Sequence, residues 1–230
     1  SVPELASKQR IRLALEHFFT PAKAKAGIGR SREEEIAEPF VAGEAAYHRF
    51  LFESSKVRQK TLIFANNRAE TENVITNIRQ VARIENDPDI YHVHHGSVAA
   101  PVREAAEQAM RNPEARVVVA ATLTLELGID IGQLERVIQL GAPFSVSSFL
   151  QRLGRSGRRG KPAEMWFVCD EGHLASKSSL PELIPWALLQ SIAIIQLYVE
   201  EKWIEPLVPA QYRVLRVPLV PAVIHPFPKI

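Results

Sequence analysis

The sequence predicts an α/β protein: a doubly wound, mainly parallel sheet with flanking helices, and helical extensions at its N- and C-terminal ends. Three observations carry this prediction. Residues 61–65 and 116–121 are short and largely apolar, the composition of strands buried on both faces. Val74, Ile75, Ile78, Val81 and Ala82 recur at three- and four-residue spacing directly after the first of these runs, the stripe of a helix laid against a sheet. The strand-then-helix unit then repeats along the middle of the chain. Such alternation calls for a parallel sheet covered on both faces, with its ligand site at the carboxyl ends of the strands.

Taken in order, residues 1–55 are expected to form a helical linker or extension. Leu5, Ile11, Leu15 and Phe18-Phe19 suggest a short amphipathic helix, residues 23–32 a loose basic connection, and Glu33-Glu34-Glu35 the start of a second polar helix. Residues 47–57 read as a helix leading into the first core strand. After the helix marked by Val74 and Ile78, residues 90–93 make a second strand. Pro101 suits the first turn of the next helix, where its missing N–H has no partner to lose, and Val102, Ala106, Ala109 and Met110 form that helix's apolar stripe. Strands over 116–121 and 136–140, a helix over 147–153 and a strand over 164–169 complete a domain expected to span 56–173. Beyond it, residues 183–199 read as one strongly apolar helix, and Pro206, Pro209, Pro218, Pro221, Pro226 and Pro228 make the tail an extended strap. Residues 174–230 are therefore expected to be a helical and Pro-rich connector.

A length of 230 residues allows one or two domains with a sizeable core. The formal charge of +2 gives no strong polyanion signal, so any basic surface must be local. Cys169, alone, rules out an internal disulfide framework and fits a reducing, cytoplasmic setting. No apolar run reaches the length of a membrane span, so no membrane partner is expected. The start Ser1-Val2-Pro3 has neither a signal pattern nor an initiator methionine, and the chain is expected to be an excised piece of a longer protein.

The most distinctive stretch is Gln151-Arg152-Leu153-Gly154-Arg155-Ser156-Gly157-Arg158-Arg159-Gly160. Glycines let the backbone approach a ligand closely, and arginines three apart project from one side of a helical turn, so Arg155 and Arg158 can reach the same phosphate. The alternative is a solvated basic loop joining a helix to a strand. Upstream lie Thr122-Leu123-Thr124-Leu125-Glu126-Leu127-Gly128-Ile129-Asp130 and Phe64-Ala65-Asn66-Asn67-Arg68. In that order the three segments resemble motifs IV, V and VI of superfamily 2 helicases, which lie on the second RecA-like domain of the motor. The words around Gly128 and Gln151 look most like the Lhr-like and Ski2-like branches, and the resemblance runs from about Lys56 to Asp170.

The resemblance implies half of an active site. Arg155 and Arg158 would be delivered to the γ-phosphate as catalytic arginines, and Gly128, Asp130 and Gln151 would contact the nucleotide. Asn66, Arg68, Gly96 and Thr122 would touch the backbone of a single-stranded or duplex nucleic acid. The cofactor would be ATP with Mg2+, bound mainly by an upstream RecA-like domain of the same protein. Bland readings stand beside these. Asn66 and Asp130 both suit a helix or turn cap, and a binding module of the same fold without a motor is the runner-up function.

Other features argue against themselves. Arg103 lacks the family's usual glutamine three residues earlier, where Ala100 stands. His92, His94 and His95 have one distant cysteine and no paired ligand downstream, which favours strand-end histidines over zinc. Gly160-Lys161 does not complete a phosphate-binding loop, because Arg155 occupies the first glycine position and Pro162 the hydroxyl position. Asp170-Glu171-Gly172-His173 spells a DExH box but lies after motifs IV to VI, so an acidic loop end is expected. A dinucleotide-binding oxidoreductase is disfavoured, since Gly154, Gly157 and Gly160 follow a helix and have the wrong spacing.

Overall fold

A computed structural model describes residues 11–20, 42–122, 134–153, 163–172 and 183–199. Within them the chain runs β1 (Ile11–Thr20), α1 (Ala42–Lys56), β2 (Lys60–Phe64), α2 (Arg68–Ile84), β3 (Tyr91–His94), α3 (Ala100–Arg111), β4 (Val117–Ala121), β5 (Arg136–Leu140), α4 (Val146–Leu153), β6 (Ala163–Gly172) and α5 (Trp186–Val199). The strands form one sheet in the order β1-β6-β5-β2-β4-β3, every neighbouring pair parallel. The predicted doubly wound parallel sheet is what the chain forms.

Alternation along the strands sorts the core into two layers. Ile63, Ala65, Val118, Ala120, Ile138 and Leu140 face one side, where they meet Tyr47, Leu51 and Phe52 of α1 and Val74, Ile75 and Ile78 of α2. Leu62, Phe64, Val119, Val137, Met165 and Phe167 face the other, against Ala106 and Met110 of α3, Phe149 of α4, and Ile194, Ile195 and Tyr198 of α5. Buried on both faces, such strands have no room for the polar alternation of a half-exposed sheet. Pro101 lies at the start of α3, as its sequence position predicted.

One expectation fails. Residues 11–20 are a strand and not an amphipathic helix, so the sheet begins inside the segment expected to be a helical linker. The spacing that suggested a helix also fits a period of two, because Ile11, Leu13 and Leu15 share one strand face and pack on the second core layer. Ten consecutive residues pair with β6, from Ile11 opposite Ala163 to Thr20 opposite Gly172. That long-range ladder overrides the local pattern. The polar stretch at Glu33-Glu34-Glu35 and the tail over 206–230 lie outside the described residues.

The C-terminal helix begins at Trp186, within the predicted span, and is fastened at two points to β6. Glu171 accepts from the Leu188 backbone N–H at 3.1 Å, and the buried Cys169 Sγ lies 3.3 Å from Ser191 Oγ. Burial pushes the Cys169 thiol up from its ordinary value. Asp170 and Glu171 therefore lie within β6, paired with Phe18 and Phe19 of β1, and not in the expected acidic loop end, because the long ladder to β1 extends the strand; Glu171 serves as a helix anchor. Among the described residues, no helix is long and apolar enough to cross a membrane.

Candidate functional site

The carboxyl ends of β2, β4 and β3 are adjacent in the sheet, and the predicted strand-gripping residues sit there together. α2 starts directly after β2 because Asn67 caps it: Asn67 Oδ1 accepts from the Glu70 N–H at 2.8 Å, while Glu70 Oε2 accepts from the Asn66 N–H at 3.0 Å. This is the reciprocal exchange of a capping box, shifted by one residue. Capping therefore belongs to Asn67, and the Asn66 carboxamide does something else. It turns inward and donates to the carbonyl oxygens of Leu140 at 3.3 Å and Ala142 at 3.1 Å. Both oxygens reach the one Asn66 Nδ2, and Gly141 between them has φ of 62°, a conformation that side chains resist.

Arg68, the first residue of α2, is exposed and donates to Ser97 Oγ at 2.5 Å, which joins the turn after β2 to the turn after β3. Gly96 lies exposed in that second turn. Thr122 follows β4, half-buried, with its backbone N–H directed to the His94 carbonyl at 3.4 Å. Asn66, Arg68, Gly96 and Thr122 are thus brought onto one stretch of the sheet's edge. Arg103, in the first turn of α3, has a buried Nε with no hydrogen-bond partner among the described residues. The exposed Arg68 guanidinium at the positive end of the α2 dipole makes this half of the edge fit for anions.

The histidines diverge. His94 Nε2 meets Glu107 of α3 at 3.0 Å and His95 Nε2 meets Glu72 of α2 at 2.8 Å, so neighbouring residues serve opposite faces of the sheet. His92 is half-buried, and burial holds its pKa below the ordinary value, with Arg79 acting in the same direction.

The other half of the edge differs in character. A cleft of about 980 Å³ opens between α1, the start of α2, the loop after β5, the end of β6 and α5, lined by Tyr47, His48, Asn66, Glu70, Phe144, Asp170 and Trp186 among others. Phe144 and Trp186 are 72% and 54% exposed. Among the described residues, the lining holds two carboxyl groups and no lysine or arginine. Burial raises the Glu70 pKa, the Asn66 N–H opposes that, and the Asp170 charge reinforces it. Tyr47 is pushed well up, first by burial and then by Glu70 and Asp170. Two neighbouring carboxyl groups disfavour an anion placed beside them.

Gln151 lies exposed on α4, one turn before the Gly- and Arg-rich stretch. Gly128, Asp130, Arg155 and Arg158 lie outside the described residues. Sequence reasoning missed the roles of Glu70, Gln139 and Arg152. Arg152 is fully buried, with its guanidinium 4.8 Å from the centre of the Phe64 ring and donating to Gln139 Oε1. A glutamine between Ile138 and Leu140 in an otherwise core-facing run was the available signal.

A parallel α/β domain with anion-directed groups along one end of its sheet is the class that fold and site define. Residues 44–160 match the family described as the helicase conserved C-terminal domain, and the chain belongs to it. It is the second RecA-like domain of the superfamily 2 type and is Lhr-like, as the motif resemblance implied. Over 143 residues the chain is 39% identical to the ATP-dependent helicase Lhr-Core of Saccharolobus solfataricus, covering 60% of this chain and 16% of that one. The Lhr helicase/uracil glycosylase of Escherichia coli is 34% identical over 128 residues, 44% of this chain and 8% of the relative. The chain thus spans a small part of the curated relatives that it matches. Among solved structures, Mycobacterium smegmatis helicase Lhr bound to ssDNA and AMP-PNP aligns with a TM-score of 0.52 at 26% identity, covering 70% of this chain and 20% of that one. S. cerevisiae Dbp5 bound to RNA and ADP BeF3 shares the fold, with a TM-score of 0.54 at 15% identity over 84% of this chain and 40% of that one.

Proposed function

We propose that this chain is the second motor domain of an ATP-dependent nucleic-acid helicase or translocase. One observation carries the reading: Asn66, Arg68, Gly96 and Thr122, far apart in sequence, meet on three adjacent strand ends, where Arg68 joins the turn after β2 to the turn after β3. In this reading Arg68 and the Thr122 hydroxyl hold backbone phosphates, Gly96 lets the strand approach closely, and Asn66 braces the turn that presents Arg68. Arg155 and Arg158 reach the γ-phosphate, while Gly128, Asp130 and Gln151 hold the nucleotide. An upstream RecA-like domain of the same protein supplies the phosphate loop and the carboxylates for Mg2+. ATP turnover opens and closes the cleft between the two domains and so moves the two grips along the strand. Residues 56–173 are the motor domain proper, supplemented by the edge strand β1, and 174–230 connect it to a downstream domain.

Binding by this chain to a labelled single strand is expected to be weak, indifferent to base sequence and steeply salt-dependent, with a slope of roughly 0.7 per phosphate contact. Arg68→Ala should reduce both affinity and slope, and Thr122→Val affinity, in titrations at several salt concentrations. Affinity that ignores salt would remove phosphate gripping from these residues. The chain alone is also expected to release no phosphate from ATP above background, with or without nucleic acid. Activity proportional to its concentration and lost on Asp170→Ala would overturn that and restore the DExH reading. The runner-up, a binding module with no motor, shares the first result; it is separated by whether the longer protein hydrolyses ATP.

A further inference from the structure

Gln139 is a fully buried polar side chain between Ile138 and Leu140 of β5, and it points into the core layer that holds Phe64 and Phe167. Its carboxamide makes contacts of opposite sign. Oε1 accepts from Arg152 Nη1, and Nε2 donates to the Leu140 carbonyl at 2.8 Å and lies 3.5 Å from Asn66 Oδ1. The same Leu140 carbonyl accepts from Asn66 Nδ2. One planar amide therefore bridges the turn after β2, two residues before Arg68, and the last turn of α4, three residues before Arg155.

We propose that Gln139 is a positioning residue that fixes the turn carrying Asn66 and Arg68 relative to the end of α4, where the Gly- and Arg-rich stretch begins. The chemistry explains the residue type. A buried guanidinium requires an acceptor and a strand-end carbonyl shared with Asn66 requires a donor, and a carboxamide offers the two on separate atoms of one long side chain, so it can meet both at once. Arg152 is held by this acceptor and by the Phe64 ring, so the helix end has little freedom to rotate. Resting on the function proposed above, this bridge keeps the strand grip and the γ-phosphate arginines in a fixed relation, so that a shift of one is felt by the other.

Hydrogen exchange on the whole chain tests the bridge without nucleotide or nucleic acid. Gln139→Met and Arg152→Met should each speed exchange of the amides over 65–70 about tenfold, as expected for losing a buried hydrogen bond, while the amides of β2 and β4 stay protected. The double variant should be no worse than either single, because both break one bridge. Gln139→Glu still accepts from Arg152 but cannot donate to Leu140, so it should release the 65–70 turn and leave α4 protected; this variant also serves if the methionine variants fold poorly. Unchanged protection of 65–70 in Arg152→Met, additive effects in the double variant, or equal loosening of every strand would overturn the bridge. A second arm measures strand binding, where Gln139→Met should weaken affinity about fivefold at constant salt slope, the loss of one well-placed hydrogen bond. If the unaltered chain binds no strand, the proposed function fails while the exchange result still decides the bridge.

Discussion

Replacing Arg158 by alanine, in a protein that joins this chain to its upstream motor domain, is expected to cut ATP turnover by about a thousandfold while nucleotide and strand affinities change far less. The expectation rests on the proposed function. An arginine aimed at the γ-phosphate stabilises charge that develops only in the transition state, so its loss appears in chemistry and not in binding. The stretch that carries it starts from a firm post: α4 ends beside the fully buried Arg152, whose guanidinium is gripped by Gln139 and the Phe64 ring. Arg155→Ala should behave like Arg158→Ala. Arg159, out of step with the three-residue spacing of Arg155 and Arg158, should tolerate alanine, and Arg158→Lys should not rescue, because a point charge lacks the planar fork. Single-turnover rates settle the matter, and a parental rate for Arg158→Ala would return residues 154–160 to the solvated-loop reading.

The largest effect on stability is expected at Glu164, at the opposite end of the sheet. Its carboxylate, 7% exposed, accepts from Arg136 at 3.1 and 3.2 Å, from Arg58 at 2.7 and 3.0 Å, and from Arg12 at 3.2 Å. Arg136 is 5% exposed, donates also to the Ser54 carbonyl, and lies 4.2 Å from the Trp166 ring. The cluster ties β1, β5, β6 and the segment entering β2. Glu164→Ala strands a buried guanidinium and should cost ~3–5 kcal/mol. Arg12, 66% exposed, should cost little when removed. Burial pulls the Glu164 carboxyl upward, but hydrogen bonds from Arg58 and Arg136 outweigh it and leave the carboxyl below its ordinary value. Its stabilising contribution is therefore complete above the unfolded-state value and lost as pH falls through the lower folded-state value. Denaturant melts at pH 7 and in the acid range should show Glu164→Gln losing less stability on acidification than the parent. Equal melts for Glu164→Ala and parent at pH 7 would show that the cluster contributes nothing.

What the sequence determined by itself was whatever local pattern and motif order encode. Apolar runs such as 61–65, helical stripes such as Val74 to Ala82, and Pro101 at a helix start specify elements through burial and backbone geometry within a few residues of one another. The order of the segments around Asn66, Thr122 and Arg155 specified the family, because the motifs are contiguous stretches. What only the tertiary structure decided depends on partners far along the chain. Residues 11–20 have a pattern that fits helix and strand alike, and pairing with β6, more than 150 positions away, makes them a strand. Asn66 suits a cap in sequence; the capping falls instead to Asn67, while carbonyls 74 and 76 residues distant take the Asn66 amide. Gln139, Arg152 and the Glu164 cluster could not be read for the same reason. A buried polar group is defined by the partner that satisfies it, and in this chain the partners come from other strands and helices.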